Sequence, residues 1–171
     1  NKNDIIQSFN HEKGVFEESK ITVLANHGYH YYDVMKLTFE NNKNIELIDT
    51  HGLLEADSRK YVNINVNNYK DYIGHSFVME NNSSIETVKL INAEIINKYT
   101  EAYTVVSAIN SNHIINNMLG ITTANNNAVN MYNIFELDEE YKYDQLKMKE
   151  DIAKYGLYTY EEWKDIISYE T

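Results

Sequence analysis

The chain contains no cysteine and no proline. Without thiols there is no disulfide, no thiolate metal ligand and no cysteine nucleophile, so a disulfide-stapled scaffold and a zinc ribbon are both excluded for these 171 residues. Without proline, turns fall to residues that tolerate left-handed backbone angles, here asparagine and the 6 glycines. Basic residues are also scarce. Lys and Arg number 15 against 26 Asp and Glu, for a formal net charge of -11, whereas binding to a phosphate backbone by counterion release needs clustered cations. Nucleic acid is therefore not an expected partner. No apolar run reaches the ~20 residues of a membrane-spanning helix, and the opening "NKNDIIQSFN" lacks the basic, apolar and small-residue segments of a signal peptide. Membrane insertion is not expected. The compartment stays open between the cytoplasm and export as part of a larger bacterial protein.

What the chain does contain is globular composition, 43% hydrophobic and 24% charged. The length suits one domain, or one domain with an appendage. With 15 Tyr against 5 Phe and 1 Trp, the core is expected to lean on tyrosine rings, each of which must find a partner for its hydroxyl or reach water.

Two regimes follow one another. Up to about Phe135, apolar residues mostly alternate, and the breaks are rich in Asn, Gly and Ser, as in short antiparallel strands joined by turns. "VMKLTFE" sends Met35, Leu37 and Phe39 to one face and Lys36, Thr38 and Glu40 to the other, and "NNKN" then turns the chain. From about Leu137 the period changes. Met148, Ile152 and Tyr155 fall at i, i+4 and i+7, and Trp163, Ile166 and Ile167 at i, i+3 and i+4. Gly156 ends the first of these helical segments, and Thr159 with Glu162 forms a capping box that starts the second. The expectation is a mainly β domain over 1–135 and a helical hairpin appendage over 136–171. The stretch "AKYGLYTY" between the helices lacks the alternating ligands of a calcium loop. Phosphate-binding glycine loops, a serine nucleophile elbow and a two-histidine zinc helix are absent, and no cofactor or metal is expected.

One stretch raises a question of chemistry. In "IELIDTHGLL" a strand-like run ends in Asp49, Thr50, His51 and Gly52. An imidazole beside a hydroxyl at a strand end suits acyl transfer: His51 could protonate a departing amide nitrogen while Thr50 holds the peptide in place. The same residues also fit an ordinary turn, with the imidazole satisfied by a backbone carbonyl. The remaining histidines have structural readings. His27 and His30 in "NHGYH" read as an exposed turn rather than two ligands of a metal, His11 in "FNHEKG" as a solvated turn residue, and His75 in "IGHSF" as a half-buried strand residue. Tyr31 and Tyr32 read as core and rim of the sheet. Glu136, Asp138, Glu139 and Glu140 read as carboxylates at a helix entry, favoured there by the helix dipole.

The order of motifs resembles a known family. "DIIQSFNHEKGVFEESKITVL", then "YYDVMKLTFENNKNIELIDTHGLLEADSRKYVNI", then "YKDYIGHSFV" is similar to the Hint family of inteins, bacterial intein-like domains and hedgehog autoprocessing domains. "EAYTVVSAINSNHIINNMLGITTAN" resembles the family's second block, and by that matching His113 takes the place of the second histidine. The resemblance covers roughly residues 4 to 135. Ile73-Gly74-His75 stands where many members have Gly-Asp, and Thr50 is adjacent to His51 instead of three residues before the histidine. Thr104 stands where inteins often have aspartate, and Asn125 follows Ala124 where they have a His-Asn pair.

The resemblance implies a curved, horseshoe-like antiparallel sheet and an intramolecular acyl shift. A Cys or Ser at the first position of the domain attacks the preceding carbonyl, and the motif histidine helps to expel the amine. On this reading His51 is an acid catalyst, Thr50 an orienting group and His113 a second acid or base. The chain's own flanking polypeptide is the partner. The segment that would carry the nucleophile is expected to be missing from this chain. The alternative implied by the departures is a degenerate, non-catalytic Hint-like scaffold or interaction module of a larger protein.

Overall fold

Strand formation follows the alternation of apolar and polar residues. The computed structural model describes residues 1–121 apart from positions 2, 12, 49, 50, 108, 109 and 111. The expected helical hairpin over 136–171 therefore lies outside the described residues, as does Thr50. Nine strands make up the described part: β1 (Ile5–Asn10), β2 (Val15–Phe39), β3 (Asn44–Ile48), β4 (Gly52–Glu55), β5 (Lys60–Asn63), β6 (Ser76–Asn81), β7 (Ser84–Ser107), β8 (Asn112–Ile115) and β9 (Met118–Ile121). All pairings are antiparallel, in the order β1-β2-β7-β6-β4-β9-β8, with β3 added to β2, β5 added to β4 and a further contact between β6 and β9.

The turns use the expected chemistry. Asn116 and Asn117 both take positive φ, 45° and 69°, and join β8 to β9. Asn82 and Ser83, at 49° and 63°, do the same between β6 and β7. Two consecutive left-handed residues make the hairpin turn whose twist matches that of the strands it joins.

Two long strands dominate. β2 and β7 run side by side from the pair Ile21 and Ser107 to the pair Phe39 and Leu90. At one end Met35, Leu37 and Phe39 are fully buried on one face, packed with Leu53, Phe77, Leu90 and Met118. Near the start of β2 a second cluster gathers Phe9, Leu54, Tyr61, Val78 and Leu119, with Phe16 and Ile114 against it. The strand order comes round on itself, because Asn112 of β8 accepts a hydrogen bond from the Phe9 backbone N–H of β1 (2.7 Å) and donates one to the Phe9 carbonyl (2.9 Å).

The structure departs from several expectations drawn from the sequence. The core is mostly aliphatic and phenylalanine. Tyr61 alone among the described tyrosines is fully buried, while Tyr69 and Tyr72 pack partly against the core. Tyr31 is not a core residue. It lies on the face that buries Met35 and Leu37, but beyond the covering layer, and is 74% exposed with its ring 5.1 Å from that of Tyr99. "NHGYH" is not a free turn, since β2 continues through it with an irregularity of register between Asn26 and Tyr29. His11 is not merely solvated: its Nε2 lies 2.7 Å from the Tyr61 hydroxyl, and its ring meets Phe9 edge to face. His75 stands in the loop before β6, exposed, with Nδ1 bonded to the Glu55 carboxylate.

Candidate functional site

The site begins where β3 stops. Ile48 pairs with Val34 of β2, and the chain then leaves the ladder and re-enters as β4 at Gly52. His51 sits at that crossing, half-buried, with Nδ1 3.1 Å from the Ile48 carbonyl oxygen. A carbonyl oxygen only accepts, so Nδ1 carries the proton and Nε2 keeps its lone pair. The bond is the turn-carbonyl contact of the plain structural reading. It also leaves one ring nitrogen oriented and basic, as an acid–base group requires.

β9 and β8 bring the second histidine. Gly52 pairs with Ile121 of β9, Ile121 pairs with Asn112 of β8, and His113 follows Asn112 opposite Gly120. Two histidines 62 positions apart in numbering (113 − 51) thus reach one rim of the sheet, close enough that the charge of His51 acts on His113. His113 is buried, 7% exposed, and its Nδ1 meets no hydrogen-bond partner. Burial, helped by the charge of His51, pushes its pKa down to about 4, so the ring is neutral near pH 7. Burial likewise lowers the pKa of His51. The bond to Ile48 opposes that shift and the charge of His27 adds to it.

His27 is the residue that sequence reasoning set aside. The signal was the Gly28 within a strand-like run, which marks a bulge. No group of three or more His, Cys, Asp or Glu among the described residues could hold a metal ion. What the arrangement offers chemically is an oriented imidazole at a rim, with a second, buried imidazole, neutral near pH 7, on β8 across β9 from it. Thr50, the expected orienting group, lies outside the described residues.

The chain has a Hint-like intein fold. It is similar to a DnaB intein from Synechocystis, at 14% identity and TM-score 0.60 over 71% of this chain and 79% of that one. An intein from a hyperthermophile matches at 15% identity and TM-score 0.59, over 68% and 70% of the two chains. A KlbA intein precursor from Methanococcus jannaschii matches at 19% identity and TM-score 0.56, over 68% and 62%. At these identities the likeness is one of fold. No protein-family model and no curated protein matches the chain.

Proposed function

We propose that this chain is part of an intein-like self-processing domain that cleaves or rearranges the backbone of its own parent protein by an N-to-S or N-to-O acyl shift. The observation that carries the reading is the register β4–β9–β8, which sets His51 and His113 at one rim. The partners are the chain's own flanking segments. A thiol or hydroxyl from the parent polypeptide adds to the carbonyl before it. Its proton passes to His51 Nε2, the C–S or C–O bond forms, and the same proton moves to the amide nitrogen as the C–N bond breaks. A neutral His51 suits this order of events, because it must first accept the proton that it later gives. Thr50 orients the scissile peptide, and His113 serves as the second acid–base group. Water or another nucleophile then takes the acyl group from the ester or thioester. On the same reading 1–135 forms the processing domain, and 136–171 forms a helical hairpin appended to it.

A second reading has its own support. Thr104 and Ala124 stand where splicing members carry aspartate and histidine, and the Nδ1 of His113 is buried without a partner. These favour a scaffold or interaction module that has kept the fold and lost the chemistry. One experiment separates the two. The chain is extended upstream with its natural neighbouring segment, and intact mass is followed with time. Cleaved or rearranged products that disappear in His51→Ala support processing. An unchanged mass, identical in parent and variant, leaves the scaffold.

A further inference from the structure

We propose that the exposed face of the β2–β7 ribbon is the docking surface for the chain's own segment 142–155, the first of the two helical segments expected after the β domain. The proposal rests on the reading of 136–171 as a helical hairpin and says where that hairpin is appended.

The face is fixed by register. Met35 pairs with Ile95, Tyr31 with Tyr99, Tyr29 with Glu101, Asn26 with Tyr103 and Leu24 with Val105. These residues continue outward the side that buries Met35 and Leu37. The Tyr99 ring lies 5.7 Å from that of Tyr29 and 5.1 Å from that of Tyr31. Of the eleven large hydrophobic residues exposed among the described ones, six share this face: Leu24, Tyr29, Tyr31, Ile95, Tyr99 and Tyr103. At 57%, 74%, 59% and 46% exposed, Tyr29, Tyr31, Tyr99 and Tyr103 alone leave roughly 500 Å² of tyrosine surface in water. The largest apolar patch of an ordinary monomer is ~300–600 Å², and a patch at the upper end of that range marks an interaction site.

Charge selects the occupant. The face carries two carboxylates and no cation: Asp33 is held by Asn97 at 2.9 Å, and Glu101 by Tyr103 at 2.7 Å and Asn26 at 3.2 Å. Lys36 and Lys98 lie on the opposite side of the ribbon, paired with Glu94 and Glu46. In a chain of net charge -11, the segment 142–155 has four lysines against Asp144, Glu150 and Asp151. Its stripe of Met148, Ile152 and Tyr155 requires an apolar surface to cover it. The stretch 156–171 has one lysine against four carboxylates and suits an acidic face poorly.

Reach is sufficient. Ile121 pairs with Gly52, four residues past Ile48, and Ile48 pairs with Val34, three residues from Tyr31. That path is ~35 Å at most, and residues 122–141 extend to about twice as much.

The test exploits the absence of cysteine. Glu150→Cys puts a single thiol on the side of the segment away from the stripe. A nitroxide attached there broadens the NMR signals of whatever lies close to it in the full chain, labelled with 13C and 15N. The ring signals of Tyr31 and Tyr99 are expected to lose most of their intensity and to regain it when Ile152→Lys breaks the stripe. The methyls of Ile73 and Ile85, exposed elsewhere, should stay sharp in both. Sharp tyrosine signals, or equal broadening in Ile152→Lys, overturn the docking. So does broadening that arises only when spin-labelled chain is mixed with isotope-labelled chain, which gives the face to a second copy. Cα shifts over 142–155 judge the helical reading separately. Helical shifts with sharp tyrosines end the docking alone, and non-helical shifts with broadened tyrosines end the helical reading alone.

Discussion

His113 of β8 lies directly opposite Gly120 of β9, and Gly120 lies opposite Leu53 of β4, so this glycine stands between the strands that carry the two rim histidines. A Cβ at Gly120 would come 2.9 Å from Ile115 Cδ1 and 3.2 Å from the Gly52 carbonyl oxygen. The isoleucine methyl can rotate away. The carbonyl cannot move without shifting β4, and His51 precedes Gly52. Gly120→Ala is therefore expected to cost ~1–3 kcal/mol, the usual range for overpacking. It should also move the His51 ring resonances. Urea unfolding with NMR of the same samples checks both, and unaltered stability would show that β4 and β9 are less closely held than this.

The buried state of His113 predicts a pH dependence. Its folded pKa of about 4 lies below the unfolded value of about 6.5, so the unfolded chain binds the proton more readily. Stability is then undisturbed above pH 6.5 and falls as the pH drops from there towards 4, by up to ~3 kcal/mol at the lower end. His113→Leu removes both the titration and the unpartnered Nδ1, and replacing such a group by an apolar one of similar shape is nearly neutral. The variant is expected to match the parent at pH 7.5 and to exceed it at pH 5. Equal slopes of stability against pH in the two proteins would contradict this origin of the acid sensitivity.

Much of this architecture was legible in the residues. The alternation in "VMKLTFE" named the buried face of β2, and Met35, Leu37 and Phe39 are each 0% exposed. Asn-rich breaks marked the turns, and the order of motifs carried the fold and put His51 and His113 in play. What failed was information that alternation does not hold. Periodicity gives the side to which Tyr31 points but not how far along the strand the covering layer extends. The pattern around Gly28 resembles a turn because a bulge and a turn use the same residue for the same backbone angle. Pairing across distant strands is invisible locally, so nothing near His75 announced Glu55, twenty positions earlier.

That pair supports a prediction of its own. The Glu55 side chain is 10% exposed and that of His75 45%. Burial pushes the Glu55 carboxyl up, but the Ser58 hydroxyl at 2.6 Å and His75 outweigh it and hold the group below its usual range. A depressed carboxyl stabilises the fold above its unfolded pKa, about 4.3, and that contribution is lost as the pH falls through the lower folded value. His75→Ala is expected to raise the Glu55 midpoint in a carboxyl-carbon titration. The stability lost near pH 5.5 should be only ~0.5–1 kcal/mol, since the histidine is largely solvated. A Glu55 midpoint that stays in place would assign the depression to Ser58 alone.

The closure between β8 and β1 can be tested by comparing two asparagines. Asn112 is 2% exposed and serves both backbone groups of Phe9, whereas Asn110, 3% exposed, donates to the Ser8 hydroxyl at 2.9 Å and to the Glu17 carboxylate at 3.3 Å. A hydroxyl or a carboxylate can rotate towards a new partner, but a backbone amide fixed in a strand cannot. Asn112→Ala leaves a buried N–H and C=O unpaired and is expected to cost ~2–4 kcal/mol, with a smaller loss for Asn110→Ala. Hydrogen exchange at the Phe9 amide should accelerate in the first variant well beyond the global change, because its acceptor is gone. His113 adjoins Asn112, so the same variant should disturb the imidazole resonances at the rim while Asn110→Ala leaves them closer to the parent. Equal losses in the two variants would mean that β8 is held by its pairing with β9 alone, and that the clamp on Phe9 contributes nothing to the placing of His113.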